Sequence, residues 1–145
     1  MKFDAILVVC TGNICRSPVA AALLSKHFPQ RDITSAGLGA LVGRGVAPHS
    51  RELAEADGLD VSAHRARQLE ASMLGSADLV LVMSDGQRRA VGDNYPSALG
   101  KTMLFGHWLE PAEREIPDPY GLDRNVFEHV HGRLLKAARA WSERI

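Results

Sequence analysis

The sequence predicts an α/β fold: a four-stranded parallel, doubly wound sheet with helices on both faces. Three observations predict it. Short, continuous apolar runs alternate with segments whose apolar residues recur at helical spacing. Strand and helix signals follow one another in turn, which favours parallel pairing with helical crossovers. The first strand runs directly into a tight loop and a helix start, an arrangement that places ligands beyond the carboxyl ends of the strands.

Taken in order, Ala5-Ile6-Leu7-Val8-Val9 is short, continuous and partly β-branched, as expected for a strand buried on both faces. The loop Cys10-Thr11-Gly12-Asn13-Ile14-Cys15-Arg16 follows. Ser17 suits a helix N-cap and Pro18 the first helical position, with Val19, Ala20, Leu23 and Leu24 on one stripe. Asp32 to Ala36 reads as a second strand ended by Gly37, and residues 37 to 46 as a glycine-rich loop. A helix starts near Pro48, carries Leu53 and Ala56, and is capped by Gly58. Residues 59 to 68 are irregular and basic, and a short helix starts near Glu70. Asp78 to Met83 is the third strand, a helix runs from Asp85 towards Gly92, and Lys101 to Phe105 is the fourth strand. A loop with three prolines covers residues 106 to 119. Phe127, Val130, Leu134, Ala138 and Trp141 form the apolar stripe of a last helix.

A chain of 145 residues fits one domain, 1–145, with a good core. Lys plus Arg and Asp plus Glu number 17 each, so neither nucleic-acid binding nor attraction to a membrane surface is implied. No apolar run is long enough for a membrane span or a secretory signal. Two cysteines exclude a disulfide framework and suit a reduced, cytoplasmic setting. The six histidines lack ligand-like spacing, and no metal or cofactor is expected. Only His64, in the basic segment, stands apart from the surface and packing histidines.

The first loop carries the chemistry. Loop amides and a helix N-terminus converge on one spot, which makes an anion site. Gly12 and Asn13 tolerate the positive φ that such convergence needs. A thiol facing this potential and an arginine favours the thiolate, the nucleophilic form. Arg16 presents a planar fork that binds two phosphoryl oxygens, and the Ser17 hydroxyl can donate to the Cys10 sulfur. Either residue alone reads as a buried hydrophobe or a surface charge; the whole string between a strand and a helix reads as a phosphate cradle with a nucleophile. Cleavage of a phosphoester through sulfur also needs a general acid. Asp118 in Ile116-Pro117-Asp118-Pro119-Tyr120 is the candidate, on the loop after the fourth strand. By itself Pro-Asp-Pro is a turn; the requirement for an acid on this face of the sheet favours the catalytic reading. Tyr120 can wall the substrate ring.

These motifs resemble the low-molecular-weight protein tyrosine phosphatase family over essentially the whole chain. Cys10 to Pro18 matches the family's phosphate loop, Asp118-Pro119-Tyr120 its acid loop, and Ser35-Ala36-Gly37 the exit of its second strand. Arg65 and Arg67 lie in a segment common in bacterial members. The resemblance implies that Cys10 is the nucleophile, that Arg16 binds the phosphoryl group, and that Asp118 is general acid and then base. It implies ligand contacts from Thr11, Gly12, Asn13, Ile14, Cys15, Ser17, Leu41 and Tyr120, with Asn13, Ser17 and Ser35 also ordering the loop. Cys15 matches a second loop cysteine, readable as a trap for oxidised Cys10 or as a packed side chain. Leu41 stands where many members carry an aromatic clamp, and Gly121 where eukaryotic members often have a second tyrosine. With Phe105-Gly106-His107-Trp108, these features resemble the bacterial subgroup linked to tyrosine kinases of capsule and exopolysaccharide export. The implied partner is a phosphotyrosine protein, the cytoplasmic tail of a membrane tyrosine kinase. Thr11 also occurs at this position in related protein arginine phosphatases, which keeps phosphoarginine as an alternative.

Three other readings fit less well. A three-cysteine arsenate reductase relay needs more than Cys10 and Cys15. A phosphocysteine carrier of a sugar uptake system must protect its phosphoryl group from water, and Arg16 and Asp118 argue against that. A phosphopeptide-binding module needs no nucleophile.

Overall fold

The structure is a computed structural model that describes residues 3–145. Its elements are β1 (Ala5–Cys10), α1 (Arg16–His27), β2 (Asp32–Gly37), α2 (Pro48–Ala56), α3 (Ala71–Ser76), β3 (Leu79–Val82), α4 (Asp85–Asn94), β4 (Thr102–Leu104) and α5 (Arg124–Ser142). All strand pairs are parallel, in the order β2-β1-β3-β4. The chain therefore winds outward from β1 to β2, then crosses back to β3 and β4. The reversal lies between β1 and β3, the switch point at which such sheets leave a crevice at their carboxyl edge.

The period of two along a strand divides β1 between two cores. Ile6, Val8 and Cys10 point into one, with Val19 and Leu24 of α1, Ala54 of α2, and Leu134, Ala138 and Trp141 of α5. Leu7 and Val9 point into the other, with Leu74 of α3 and Val91 of α4. The continuous apolar reading of β1 thus has its cause in burial on both faces. Trp141 is buried with its indole N–H donating to the Phe105 carbonyl at 2.7 Å, so its polar atom is satisfied. Trp108 packs edge-on against Trp141 under the Arg144 guanidinium, as a packing residue. His131 is buried with Nε2 2.6 Å from the Asp57 carboxylate, which ties α5 to the end of α2.

The structure differs from the sequence reading at several boundaries. Gly58 (φ +78°) does end α2, in a turn where its N–H bonds Glu55 and the Leu59 N–H bonds Ala54. Ser17 is not the N-cap of α1: the helix begins at Arg16, and Cys15 occupies the cap position without a side-chain bond. The Ser17 hydroxyl meets Cys10 Sγ and Asn13 Nδ2 rather than the free N–H groups of the first turn. Ser84 caps α4, its hydroxyl accepting from the Gln87 N–H at 3.2 Å. Asp85 sits in the first turn and pairs with Arg89. A 3-10 helix over Pro96–Lys101 was not expected; Pro96 starts it and buried Ala98 pins it to the core.

Candidate active site

β1 delivers Cys10 to the carboxyl edge at the switch point, and residues 11 to 15 loop from there into α1. Asn13 holds φ +59°, a strained value for a non-glycine residue, and a buried network holds it there. Its Nδ2 donates to the Ser17 hydroxyl at 2.8 Å and to the Ser35 hydroxyl at 3.0 Å. Its Oδ1 accepts from the Arg67 N–H at 3.0 Å, and its carbonyl lies 2.7 Å from His64 Nε2. A carbonyl only accepts, so His64 carries its proton on Nε2. Ser17 Oγ lies 2.9 Å from Cys10 Sγ. Because Asn13 already donates to that oxygen, the serine proton is free to point at sulfur.

The segment that follows β2 pins the other side of the loop. The Leu38, Gly39 and Leu41 N–H groups donate to the carbonyls of Cys10, Thr11 and Gly12. A Cβ on Gly37 would lie 2.5 Å from the Thr11 carbonyl, so only glycine allows this approach. Arg67 adds a bond from Nε to the Ser35 carbonyl at 2.9 Å.

Arg16 is 4 % exposed. Its Nη1 donates to the Ile116 carbonyl at 2.8 Å, Nη2 lies 3.7 Å from the Asp118 carboxylate, and Nε has no partner. A buried guanidinium with an unused N–H is costly unless an anion completes it. Ile116 itself is buried, and its N–H donates to the Met83 carbonyl at 2.9 Å. One residue thus anchors the Asp118 loop both to the end of β3 and to Arg16. Asp118 is half-exposed, and its Oδ1 accepts from the Tyr120 N–H at 3.1 Å, a local turn that orients the carboxylate.

A cavity of about 140 Å³ is lined by Cys10, Gly12, Ile14, Cys15, Arg16, Gly39, Leu41, Asp118 and Tyr120. The structure thus brings together residues far apart in sequence. Three of the residues expected at the ligand are placed differently from the rest, so that contact from them would come through the backbone. The Asn13 and Ser17 side chains line neither this cavity nor its neighbour; they are buried behind the loop and brace it. Thr11 lines the neighbouring cavity instead, because Gln87 Nε2 holds its hydroxyl at 3.1 Å. Cys15 and Cys10 are both free thiols. Burial first, then the Asp118 charge, pushes the Cys15 thiol up to about 12, which favours the packed, inert reading. Among the described residues no three or more His, Cys, Asp or Glu side chains converge as a metal site.

Sequence reasoning missed Gln87 and Ile116. Gln87 accepts the Met83 N–H and donates to Thr11, joining β3 to the loop across a separation that no local pattern marks. His64 was singled out only by its basic setting, and here it braces Asn13. Burial holds His64 below its ordinary 6.5, with smaller opposing and reinforcing contributions from the Asn13 carbonyl, Arg65 and Arg67. The unfolded chain therefore binds the proton more readily than the folded one. The stability this gives is complete above 6.5 and is lost as pH falls through the folded value. The melting temperature of the wild type is expected to fall more steeply from pH 7.5 to 5 than that of His64→Gln, measured by circular dichroism. Parallel curves would overturn this.

A parallel sheet with a cysteine, an arginine and a helix N-terminus gathered at its switch point, faced by a carboxylate, defines an α/β protein suited to holding an anion at the carboxyl edge of its sheet. The family model described as low molecular weight phosphotyrosine protein phosphatase matches residues 5–145, and the chain belongs to that family. It is 47% identical over 141 residues to the low molecular weight protein-tyrosine-phosphatase Wzb of Salmonella typhimurium, covering 97% of this chain and 93% of that one. Among solved structures it is similar to the tyrosine phosphatase Wzb of Escherichia coli K30 in complex with sulphate: TM-score 0.94, 42% identity, and 98% of both chains. It is also similar to the YwlE arginine phosphatase of Geobacillus stearothermophilus, with TM-score 0.89, 32% identity, and coverage of 98% and 92%.

Proposed function

We propose that the chain acts as one phosphatase domain that hydrolyses phosphotyrosine in proteins through a cysteinyl-phosphate intermediate. The observation that carries this reading is one ring-sized cavity lined by Cys10, Arg16 and Asp118, with Leu41 and Tyr120 as its walls. The loop amides and the Arg16 fork hold the phosphoryl oxygens. The Cys10 thiolate attacks phosphorus, the bond from phosphorus to the phenolic oxygen breaks, and Asp118 gives its proton to the departing tyrosine. Water then attacks the cysteinyl phosphate, Asp118 takes a proton from it, and the sulfur–phosphorus bond breaks. Ser17 donates to the returning thiolate. Thr11 to Cys15 shape the cradle through their backbone, with Asn13 and Ser17 acting from behind.

The kinase-linked subgroup that residues 105 to 108 resemble supports a particular partner: an autophosphorylated bacterial tyrosine kinase that controls polysaccharide export, met in the cytoplasm. The described residues contain no helix long and apolar enough to cross a membrane. Thr11 and the similarity to an arginine phosphatase favour the second reading, protein phosphoarginine. The test is kcat/KM for phosphotyrosyl and phosphoarginyl forms of one peptide. A phosphotyrosine preference of tenfold or more is expected; the reverse preference would transfer the same cysteine, arginine and aspartate to arginine dephosphorylation.

A further inference from the structure

A second cavity adjoins the cradle. Its volume is about 640 Å³, and Arg16 and Asp118 line both spaces. A cavity of roughly 150 Å³ holds a single benzene, so a cradle of about 140 Å³ is filled by one side chain. The rest of a peptide seated on Cys10 must lie outside it, and the larger groove is the contiguous space.

The groove's chemistry restricts what it takes. Leu38, Ala90, Ile116 and Pro117 give it an apolar surface. The hydroxyls of Thr11 and Ser84 at its edge are already bonded by Gln87. Apart from Arg16 and Asp118, its ionisable groups are Glu115 and Arg133, of opposite charge, and Arg133 Nη1 donates to the Glu115 carbonyl at 2.9 Å. No net charge there selects a charged residue, while apolar surface rewards the burial of an aliphatic or aromatic one.

We propose that this groove is a specificity subsite for an apolar side chain one or two residues from the phosphorylated residue of a protein substrate. The inference rests on reading the chain as a phosphoprotein phosphatase. Ala90 lies on α4, lines the groove and takes no part in the cradle, so Ala90→Trp fills the subsite without touching the chemistry. The experiment compares kcat/KM on phosphotyrosyl peptides carrying Leu, Phe or Ala at each of the two positions on either side, with phenyl phosphate as a substrate that fills only the cradle. The wild type is expected to favour Leu or Phe over Ala at one position by about tenfold. Ala90→Trp should erase that preference and leave phenyl phosphate turnover unchanged. Ala90→Glu, which puts a charge in the same place, should act in the same direction, and Ala90→Ser should keep the preference. A wild type indifferent to its flanking residues, or a preference that survives both large substitutions, overturns the subsite alone. Absence of turnover on every phosphomonoester overturns the phosphatase reading beneath it.

Discussion

Cys10→Ser is expected to reduce turnover of a phosphotyrosyl peptide by at least about 10⁴-fold, the scale seen when a covalent nucleophile is removed. A serine hydroxyl is not ionised by a helix terminus near neutrality, and oxygen is the poorer nucleophile. The anion site should survive. Arg16, the loop amides and the Asn13 network do not depend on sulfur, and serine keeps the contact to Ser17. Affinity for a non-hydrolysable phosphonate analogue of the peptide, measured by calorimetry on both proteins, should stay within about threefold of the wild-type value, since about 1.4 kcal/mol would already be a tenfold change. The two readouts together separate a lost nucleophile from a collapsed loop. Turnover near the wild-type rate would sink the cysteinyl-phosphate mechanism. Lost binding would show instead that the sulfur holds the loop.

Asp118→Asn should cost about 10² to 10⁴ in kcat on phosphotyrosine, the usual contribution of a general acid. Its effect should depend on the leaving group. Tyrosine leaves as a strong base, with an ordinary pKa of about 10, and needs the proton. An aryl phosphate whose phenol is much more acidic needs it far less, so its loss should be small. Asparagine keeps the size of the side chain and its oxygen can still accept from the Tyr120 N–H, so the loop is preserved. A plot of log kcat against leaving-group pKa should therefore be much steeper for the variant than for the wild type. Parallel lines would remove Asp118 from proton transfer. Its neighbour Ile116 would then hold the loop for some other purpose, because its two backbone bonds fix where residue 118 stands.

Several elements were legible in the sequence because their causes are local. The apolar run of β1, the stripe of α5 and the left-handed turn at Gly58 each follow from side-chain spacing or a single φ. The order of strand, tight loop and helix from Cys10 to Arg16 was legible for the same reason: the three are contiguous in the chain. Ser17 was misplaced as a cap. Its hydroxyl has better partners in Cys10 and Asn13, and one of those bonds exists only because β1 and the loop are already in place.

The sequence by itself determined the fold class and the strand–loop–helix that carries Cys10 and Arg16, since these rest on periodicity and on residues adjacent in the chain. Only the tertiary structure decided how the loop is held and what surrounds it. His64, Arg67 and Ser35 meet Asn13, Gln87 turns Thr11 away from the cradle, and Arg16 reaches Ile116 a hundred residues on. These are hydrogen bonds across strand order β2-β1-β3-β4. A backbone carbonyl or a buried amide leaves no mark on the residue that will bond it, so such partners become known only once the sheet has brought them together.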